Sequence, residues 1–165
     1  MLSILACARG MAQFREYTVD LMEEKPVKGF VMRTLVVVNE KAGSAHQVVQ
    51  LHMTNWSPDG SCSHLATITS VINEMSAIQR RTGNNPIIVH CSDTVGRSGM
   101  FCAIVTTIER CKTEGVVDVF QVVKALRVHK PGAVLTVAQY ELVFQAVLVY
   151  LRSFETYSNF RNLSL

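Results

Sequence analysis

The most constraining feature of this sequence lies at residues 86–110, where a short apolar run precedes a small polar loop and then apolar residues at helical spacing. Ile87, Ile88 and Val89 predict a buried strand, and a helix is predicted from Met100 onward. A loop that enters a helix points its backbone N–H groups in one direction, and the helix dipole adds partial positive charge there. The segment therefore predicts an anion-binding loop.

Two residues bound this loop, Cys91 at its start and Arg97 at its end. If a phosphate binds between them, the surrounding amides stabilise the Cys91 thiolate as a nucleophile, and the Arg97 guanidinium binds two phosphoryl oxygens. Ser98 would hydrogen-bond the sulfur and help to expel it, while His90 would orient the loop. A single cysteine or arginine is usually structural, but His-Cys-five residues-Arg-Ser-Gly on a strand, loop and helix is far more specific.

Composition excludes several other classes of protein. The 165 residues suffice for one domain with a core, and 48% apolar with 18% charged residues is typical of a globular protein. A net charge of +3 without a long basic run argues against a nucleic-acid partner. Five cysteines without CxxC spacing suggest neither a disulfide framework nor a metal site, and favour a reducing, cytoplasmic setting with no cofactor. No run of 18 apolar residues exists, so we expect no membrane span within this chain.

Alternating segments before the loop predict an antiparallel meander of three strands, at residues 17–21, 30–38 and 46–54. A polar turn is expected at residues 23–26, where Pro26 would break the first strand. His46 and His52 are expected to be ordinary strand residues, because no third ligand is spaced to join them.

Helical periodicity accounts for much of the remaining sequence. One helix is predicted from Leu65 to an end near residues 80–83, and the helix after the loop should end at Gly115. Thr136 is a candidate N-cap for the last helix, and Arg127 is expected to be a structural anchor. The two later helices are predicted to bury apolar faces made of Val116, Val119, Phe120, Val123 and Leu126, and of Tyr140, Phe144, Val147, Leu148 and Leu151.

Residues 90–99, HCSDTVGRSG, resemble the signature loop of the classical protein-tyrosine phosphatases, His-Cys-Ser-Ala-Gly-x-Gly-Arg-Thr/Ser-Gly. Residues 101–103, 117–127 and 139–141 are similar to the second, membrane-distal phosphatase domain of receptor-type members. The resemblance implies a phospho-cysteine mechanism and a phosphate site formed by Ser92, Asp93, Thr94, Val95, Gly96 and Arg97.

The resemblance also implies a fold and a domain organisation. We expect an α/β fold with a mixed, partly antiparallel sheet flanked by helices, the C-terminal part of the cysteine-phosphatase fold. The phosphatase-like domain is predicted at residues 17–153, after a truncated or poorly ordered start at 1–16 and before a polar tail at 154–165. The family's domain is longer, so this chain is expected to begin partway through it.

One departure from the family concerns the general acid. The family carries a Trp-Pro-Asp-x-Gly loop whose aspartate protonates the tyrosyl oxygen as it leaves. Here Trp56 and Gly60 keep the family's separation, but Pro58 stands at the position of the acid and Asp59 follows one residue late. A shift of one residue turns a side chain to the other side of an extended backbone. Asp59 is therefore a candidate acid, with a solvated turn residue as the alternative.

Other departures concern binding and hydrolysis. Asp93 replaces a small neutral residue and would repel a phosphate dianion, while Thr94 replaces a glycine and adds strain if its φ is positive. Leu135 stands where the family has the glutamine that positions the hydrolytic water, although the second glutamine of that loop, Gln139, is retained. These changes predict weaker binding and slower turnover.

Two functions remain open from the sequence. The first is a phosphatase-family domain with impaired catalysis, acting as a regulatory or phosphotyrosine-binding module for a phosphotyrosine protein or a neighbouring phosphatase domain. The alternative is an active protein-tyrosine phosphatase with Cys91 as nucleophile, Arg97 as phosphate ligand and Asp59 as acid. A dual-specificity or phosphoinositide phosphatase is disfavoured by the resemblance at residues 117–127. The resemblance places the domain in the cytoplasm, or in the intracellular part of a membrane receptor.

Overall fold

The structure is a computed structural model that describes residues 11–57, 65–83, 85–93 and 95–161. It has the predicted α/β fold, with an antiparallel sheet and helices, and it divides into two compact units, Met1–Thr54 and Asn55–Leu165. The elements in chain order are β1 (Ala12–Phe14), β2 (Tyr17–Val27), β3 (Phe30–Asn39), β4 (Ser44–Met53), α1 (Leu65–Thr82), α2 (Gly96–Glu114), α3 (Val119–His129) and α4 (Val137–Arg161).

The first unit contains the sheet, whose strands lie in the order β1-β2-β3-β4 with every pair antiparallel. The predicted meander is confirmed, but the turn predicted at residues 23–26 is wrong, because β2 continues through Pro26 to Val27. A bulge after Leu21 shifts the register, and β1 pairs with β2 only as far as Val19. Beyond Val19 one edge of β2 has no partner strand among the described residues, so a proline without an N–H is tolerated there.

The strand predicted at Ile87, Ile88 and Val89 is not formed. These residues have no strand assignment, and their side chains are 49%, 86% and 36% exposed. A strand needs a hydrogen-bonding neighbour, and no other strand pairs with this segment in the described part of the chain. The sheet is consequently antiparallel throughout these residues, and the parallel pairing expected of a mixed sheet is not present in them.

The helix α2 fixes the position of the loop that precedes it. Met100, Ile104 and Ile108 are fully buried at helical spacing, which anchors this helix in the second unit. It starts at Gly96, earlier than the predicted Met100, and ends as predicted at Gly115. Gly115 has a φ of +69° and donates its N–H to the Cys111 carbonyl, so a left-handed residue closes the helix.

The predicted first helix is confirmed as α1, which buries Ile68, Val71 and Ile72. The apolar face predicted for α3 is partly wrong. Val119, Val122 and Val123 are buried, whereas Phe120 is 61% exposed and Val116 lies outside the helix. The Asp118 side chain caps α3 by accepting the Gln121 N–H at 3.0 Å. Because the helix begins only at Val119, Val116 is not part of its buried face.

The helix α4 begins as predicted after Thr136, whose hydroxyl accepts the Gln139 N–H at 3.2 Å. It continues to Arg161, so its backbone extends into the segment predicted as a polar tail. Its buried face also differs from the prediction, because Phe144 and Leu148 are 45% and 46% exposed. Among the residues of this helix up to 153, whose side chains the structure describes, the buried ones are Leu142, Val143, Ala146, Val147 and Tyr150.

Candidate functional site

The candidate site lies at the N-terminus of α2, within the second unit. Ser98 and Gly99 of the first turn are buried, and the half-buried, free thiol of Cys91 lies beside them. A Cβ at Gly99 would lie 3.0 Å from the Ala133 Cβ and 3.1 Å from the Ala133 Cα. Glycine therefore favours this close approach between the start of α2 and the segment before α4, because a Cβ here would press against Ala133.

The Cys91 sulfur contacts two residues of its own loop and helix. It lies 2.8 Å from Asp93 Oδ1, 3.1 Å from Ser98 Oγ and 3.3 Å from the Ser98 backbone nitrogen. A thiol has one hydrogen, so when that hydrogen points to Asp93 the Ser98 hydroxyl is left to donate to the sulfur. Ser98 thus offers an N–H and an O–H to the sulfur, which is an arrangement that stabilises a thiolate.

The Arg97 guanidinium connects the loop to the segment around Trp56. Its Nη1 donates to the Trp56 carbonyl at 2.9 Å, and its Nη2 donates to the Ser92 hydroxyl. Trp56 is buried, with 7% of its surface exposed. The structure thereby places the start of the predicted acid loop at the candidate site. Asp59 itself, with Pro58 and Gly60, lies outside the described residues, so its role as acid stays a prediction.

Sequence reasoning did not identify the Trp56 carbonyl as a partner of Arg97. A backbone carbonyl is present at every residue, so no side-chain pattern distinguishes this one. The only available signal was the resemblance of Trp56 and Gly60 to a family loop.

Asp93 is exposed, but its carboxylate is directed at its own loop. Its Oδ2 accepts the Gly96 N–H at 3.1 Å, and its Oδ1 accepts the Val95 N–H at 3.4 Å in addition to its contact with Cys91. The Cys91 hydrogen bond is the largest cause that lowers the pKa of Asp93; burial opposes it, and the N–H groups of Gly96 and Val95 lower the pKa further. Asp93 therefore carries a stabilised negative charge. Thr94 lies outside the described residues.

The remaining predicted site residues have different surroundings. His90 is exposed, and none of the described hydrogen bonds joins it to Cys91. Gln139 Oε1 accepts the N–H groups of Leu135 at 2.8 Å and Thr136 at 3.4 Å, which makes a reciprocal capping box with Thr136. The Leu135 side chain is 72% exposed. The described contacts of Gln139 are thus those of a helix cap.

Arg127 is confirmed as a structural anchor. Its Nε donates to the Ala133 carbonyl at 3.0 Å, and its Nη2 donates to the Val134 carbonyl. Val134 is fully buried and has a φ of +54°, which is costly for a β-branched residue. The guanidinium therefore holds a strained backbone that lies next to Gly99 and leads into Leu135.

Neither a metal centre nor a spanning helix is found in the described part of the chain. Within residues 11–57, 65–83, 85–93 and 95–161, no group of three or more His, Cys, Asp or Glu side chains is arranged to hold a metal ion. In the same residues, no helix is both long enough and apolar enough to cross a membrane.

The sequence of this chain matches those of known proteins that belong to one family. The profile of the family described as protein-tyrosine phosphatase matches residues 7–149. The chain is 38% identical over 152 residues to receptor-type tyrosine-protein phosphatase alpha of Homo sapiens, which covers 92% of this chain and 19% of that protein. It is 34% identical over 152 residues to receptor-type tyrosine-protein phosphatase F of Mus musculus, a match that covers 92% of this chain and 8% of that protein. It is also 34% identical over 152 residues to receptor-type tyrosine-protein phosphatase S of Gallus gallus, with 92% of this chain and 10% of that protein covered. The chain thus spans less than a fifth of the length of these relatives.

Proposed function

Because this chain belongs to the protein-tyrosine phosphatase family, we propose that its loop from Cys91 to Arg97 binds the phosphate of phosphotyrosine but turns it over slowly. The domain then acts as a regulatory or phosphotyrosine-binding module. The observation that carries this proposal is the pair of Ser98 contacts at the Cys91 sulfur, an N–H that donates to it and a hydroxyl oxygen 3.1 Å away, since a cysteine with only a packing role needs neither.

The position of Arg97 supports phosphate binding. Its guanidinium belongs to the first turn of α2, where the helix dipole already favours an anion. Its contacts with Trp56 and Ser92 restrict the side chain before any ligand arrives, which reduces the entropy lost on binding. Ordered cationic donors are a general requirement for tight recognition of a phosphoryl group.

Slow turnover is supported by two residues. Leu135 has an exposed hydrocarbon side chain at the position where the family has the glutamine that positions water. A leucine side chain has no hydrogen-bonding group, so it cannot hold that water. The Asp93 carboxylate lies 2.8 Å from the sulfur, where a negative charge opposes both the thiolate and an incoming phosphate. The first change affects hydrolysis of the phospho-cysteine, and the second affects binding and attack.

The partner is then a phosphotyrosine protein or a neighbouring phosphatase domain. The relatives named above are receptor-type phosphatases, and each is more than five times as long as the matched region. A chain of this kind would lie in the cytoplasm, as the intracellular part of a receptor or close to one.

A second candidate function is an active protein-tyrosine phosphatase, favoured by the hydrogen bond between Arg97 and the Trp56 carbonyl. In that reaction the Cys91 sulfur attacks phosphorus, the bond from phosphorus to the tyrosyl oxygen breaks, and Asp59 gives that oxygen a proton. Water then cleaves the bond between sulfur and phosphorus, which releases phosphate and regenerates Cys91. This hypothesis predicts fast turnover, whereas the first predicts binding with little turnover.

Calorimetric titration with a phosphotyrosine peptide tests the proposal, with the unphosphorylated peptide as its control. We expect binding that needs the phosphate and that weakens about tenfold or more in Arg97→Lys, because lysine lacks the planar pair of donors. Equal affinity for both peptides in a folded protein would contradict the proposal. Rapid release of phosphate during the titration, abolished in Cys91→Ser, would favour the active enzyme instead.

A further inference from the structure

The Asp93 carboxylate contacts several donors of the candidate phosphate loop at once. Its two oxygens accept the N–H groups of Val95 and Gly96, and one of them also contacts the Cys91 thiol. These groups surround the start of α2, where a phosphate would bind. Carboxylate and phosphate oxygens are both acceptors for such donors, so the two groups compete for them.

The position of the carboxylate shows how closely it covers the start of the helix. A Cβ built on Gly96 would lie 2.5 Å from Asp93 Oδ2 and 3.4 Å from Asp93 Cγ. The carboxylate therefore occupies the space directly beside the first helical residue. Asp93 takes part in none of the salt bridges found among the described residues, so its described partners are the loop donors themselves.

We propose that Asp93 is a built-in ligand of this loop, and that phosphate binds only when its carboxylate leaves the Val95 and Gly96 N–H groups. This inference rests on the proposed phosphate-binding function and adds a self-inhibitory contact to it. It differs from a general repulsion between charges, because the carboxylate and the ligand use the same hydrogen-bond donors. The hydrogen bond from Cys91 to Asp93 exists only in the thiol form, since a thiolate has no hydrogen to donate.

Titration with inorganic tungstate, a tetrahedral dianion that the protein does not hydrolyse, tests the inference without the need for turnover. Asp93→Ala removes the competing oxygens, and we expect tungstate to bind about tenfold tighter or more, the equivalent of one regained hydrogen bond. Asp93→Asn keeps an oxygen that can accept the Val95 or Gly96 N–H but removes the charge, so it serves as a second variant if the alanine variant does not fold. Its affinity should lie between those of the wild type and Asp93→Ala.

The matched control is Glu16→Gln, which removes one exposed carboxylate from the sheet unit and changes the net charge by the same amount as Asp93→Asn. We expect its tungstate affinity to equal that of the wild type. An equal gain in tungstate affinity in Glu16→Gln and Asp93→Asn would show an effect of net charge alone and would overturn the inference.

Two further outcomes separate the inference from the proposed function. If the wild type binds tungstate, Arg97→Lys weakens that binding, and the Asp93 variants match the wild type, the inference is wrong and the proposed function stands. If neither the wild type nor the folded Asp93 variants bind tungstate, the proposed phosphate site is wrong, and the inference fails with it.

Discussion

Arg127 should contribute more to the stability of the second unit than an ordinary exposed arginine does. Its guanidinium donates to two consecutive carbonyls, those of Ala133 and Val134, and hydrogen bonds from a charged group are each worth about 1.5–3 kcal/mol. Arg127 is exposed, so the lower end of that range applies, and Arg127→Met should cost about 3 kcal/mol. The side chain does not form a salt bridge among the described residues, so this cost should depend little on salt.

Urea denaturation followed by circular dichroism measures this cost. Methionine keeps much of the aliphatic length of arginine, so the comparison isolates the lost donors. Arg127→Lys is the matched control, because one ammonium cannot reproduce the fork to two carbonyls, and we expect about half the loss. A free energy of unfolding within about 0.5 kcal/mol of the wild type for Arg127→Met, the usual range for surface substitutions, would refute the reasoning.

Three other changes have expected outcomes. Leu135→Gln should raise the steady-state rate of p-nitrophenyl phosphate hydrolysis about tenfold or more, because hydrolysis of the phospho-cysteine gains a positioned water. The rate of the initial burst, measured by stopped flow, should not change, since it reports the earlier attack by Cys91. An unchanged steady-state rate would contradict this. Gly99→Ala should lower the free energy of unfolding in urea by about 1–3 kcal/mol through its clash with Ala133, and an unchanged urea midpoint would show that the contact relaxes freely. The pKa of Asp93 in the folded protein is lowered from its ordinary value of 3.8. The Asp93 carboxylate therefore stabilises the folded state fully above pH 3.8, and this stabilisation is lost as the pH falls below 3.8 through the lowered pKa. The stability difference between the wild type and Asp93→Ala, measured in urea, should therefore shrink below pH 3.8, and a constant difference would contradict this origin.

The sequence predicted the local features of this fold better than its long-range pairing. Helix ends were accessible because Gly115 and Thr136 act through nearby backbone groups. The strand at Ile87 to Val89 was predicted from its apolar composition, but a strand also needs a neighbour, and composition carries no information about one. The face of α4 was misassigned for a related reason, since several apolar residues, including Phe144, lie on its exposed side.

The candidate site shows the same division. Its signature predicted Cys91, Arg97 and Ser98 as site residues, and the structure brings Ser98 to the Cys91 sulfur. The sequence indicated that Asp93 would act through charge, but hydrogen bonds to specific N–H groups depend on loop conformation, which the sequence does not specify. The contact between Arg97 and the Trp56 carbonyl spans 41 positions in the chain and could not be predicted from side-chain types.

The most direct test of the central claim is the hydrolysis of p-nitrophenyl phosphate by the wild type beside Cys91→Ser. This substrate has a good leaving group, so the reaction does not depend on the general acid and reports on the loop and on hydrolysis of the phospho-cysteine. The account predicts turnover that depends on Cys91 but is at least about a hundredfold below the median enzyme value of about 10 s⁻¹. Turnover dependent on Cys91 at about 10 s⁻¹ would contradict it and identify an efficient phosphatase.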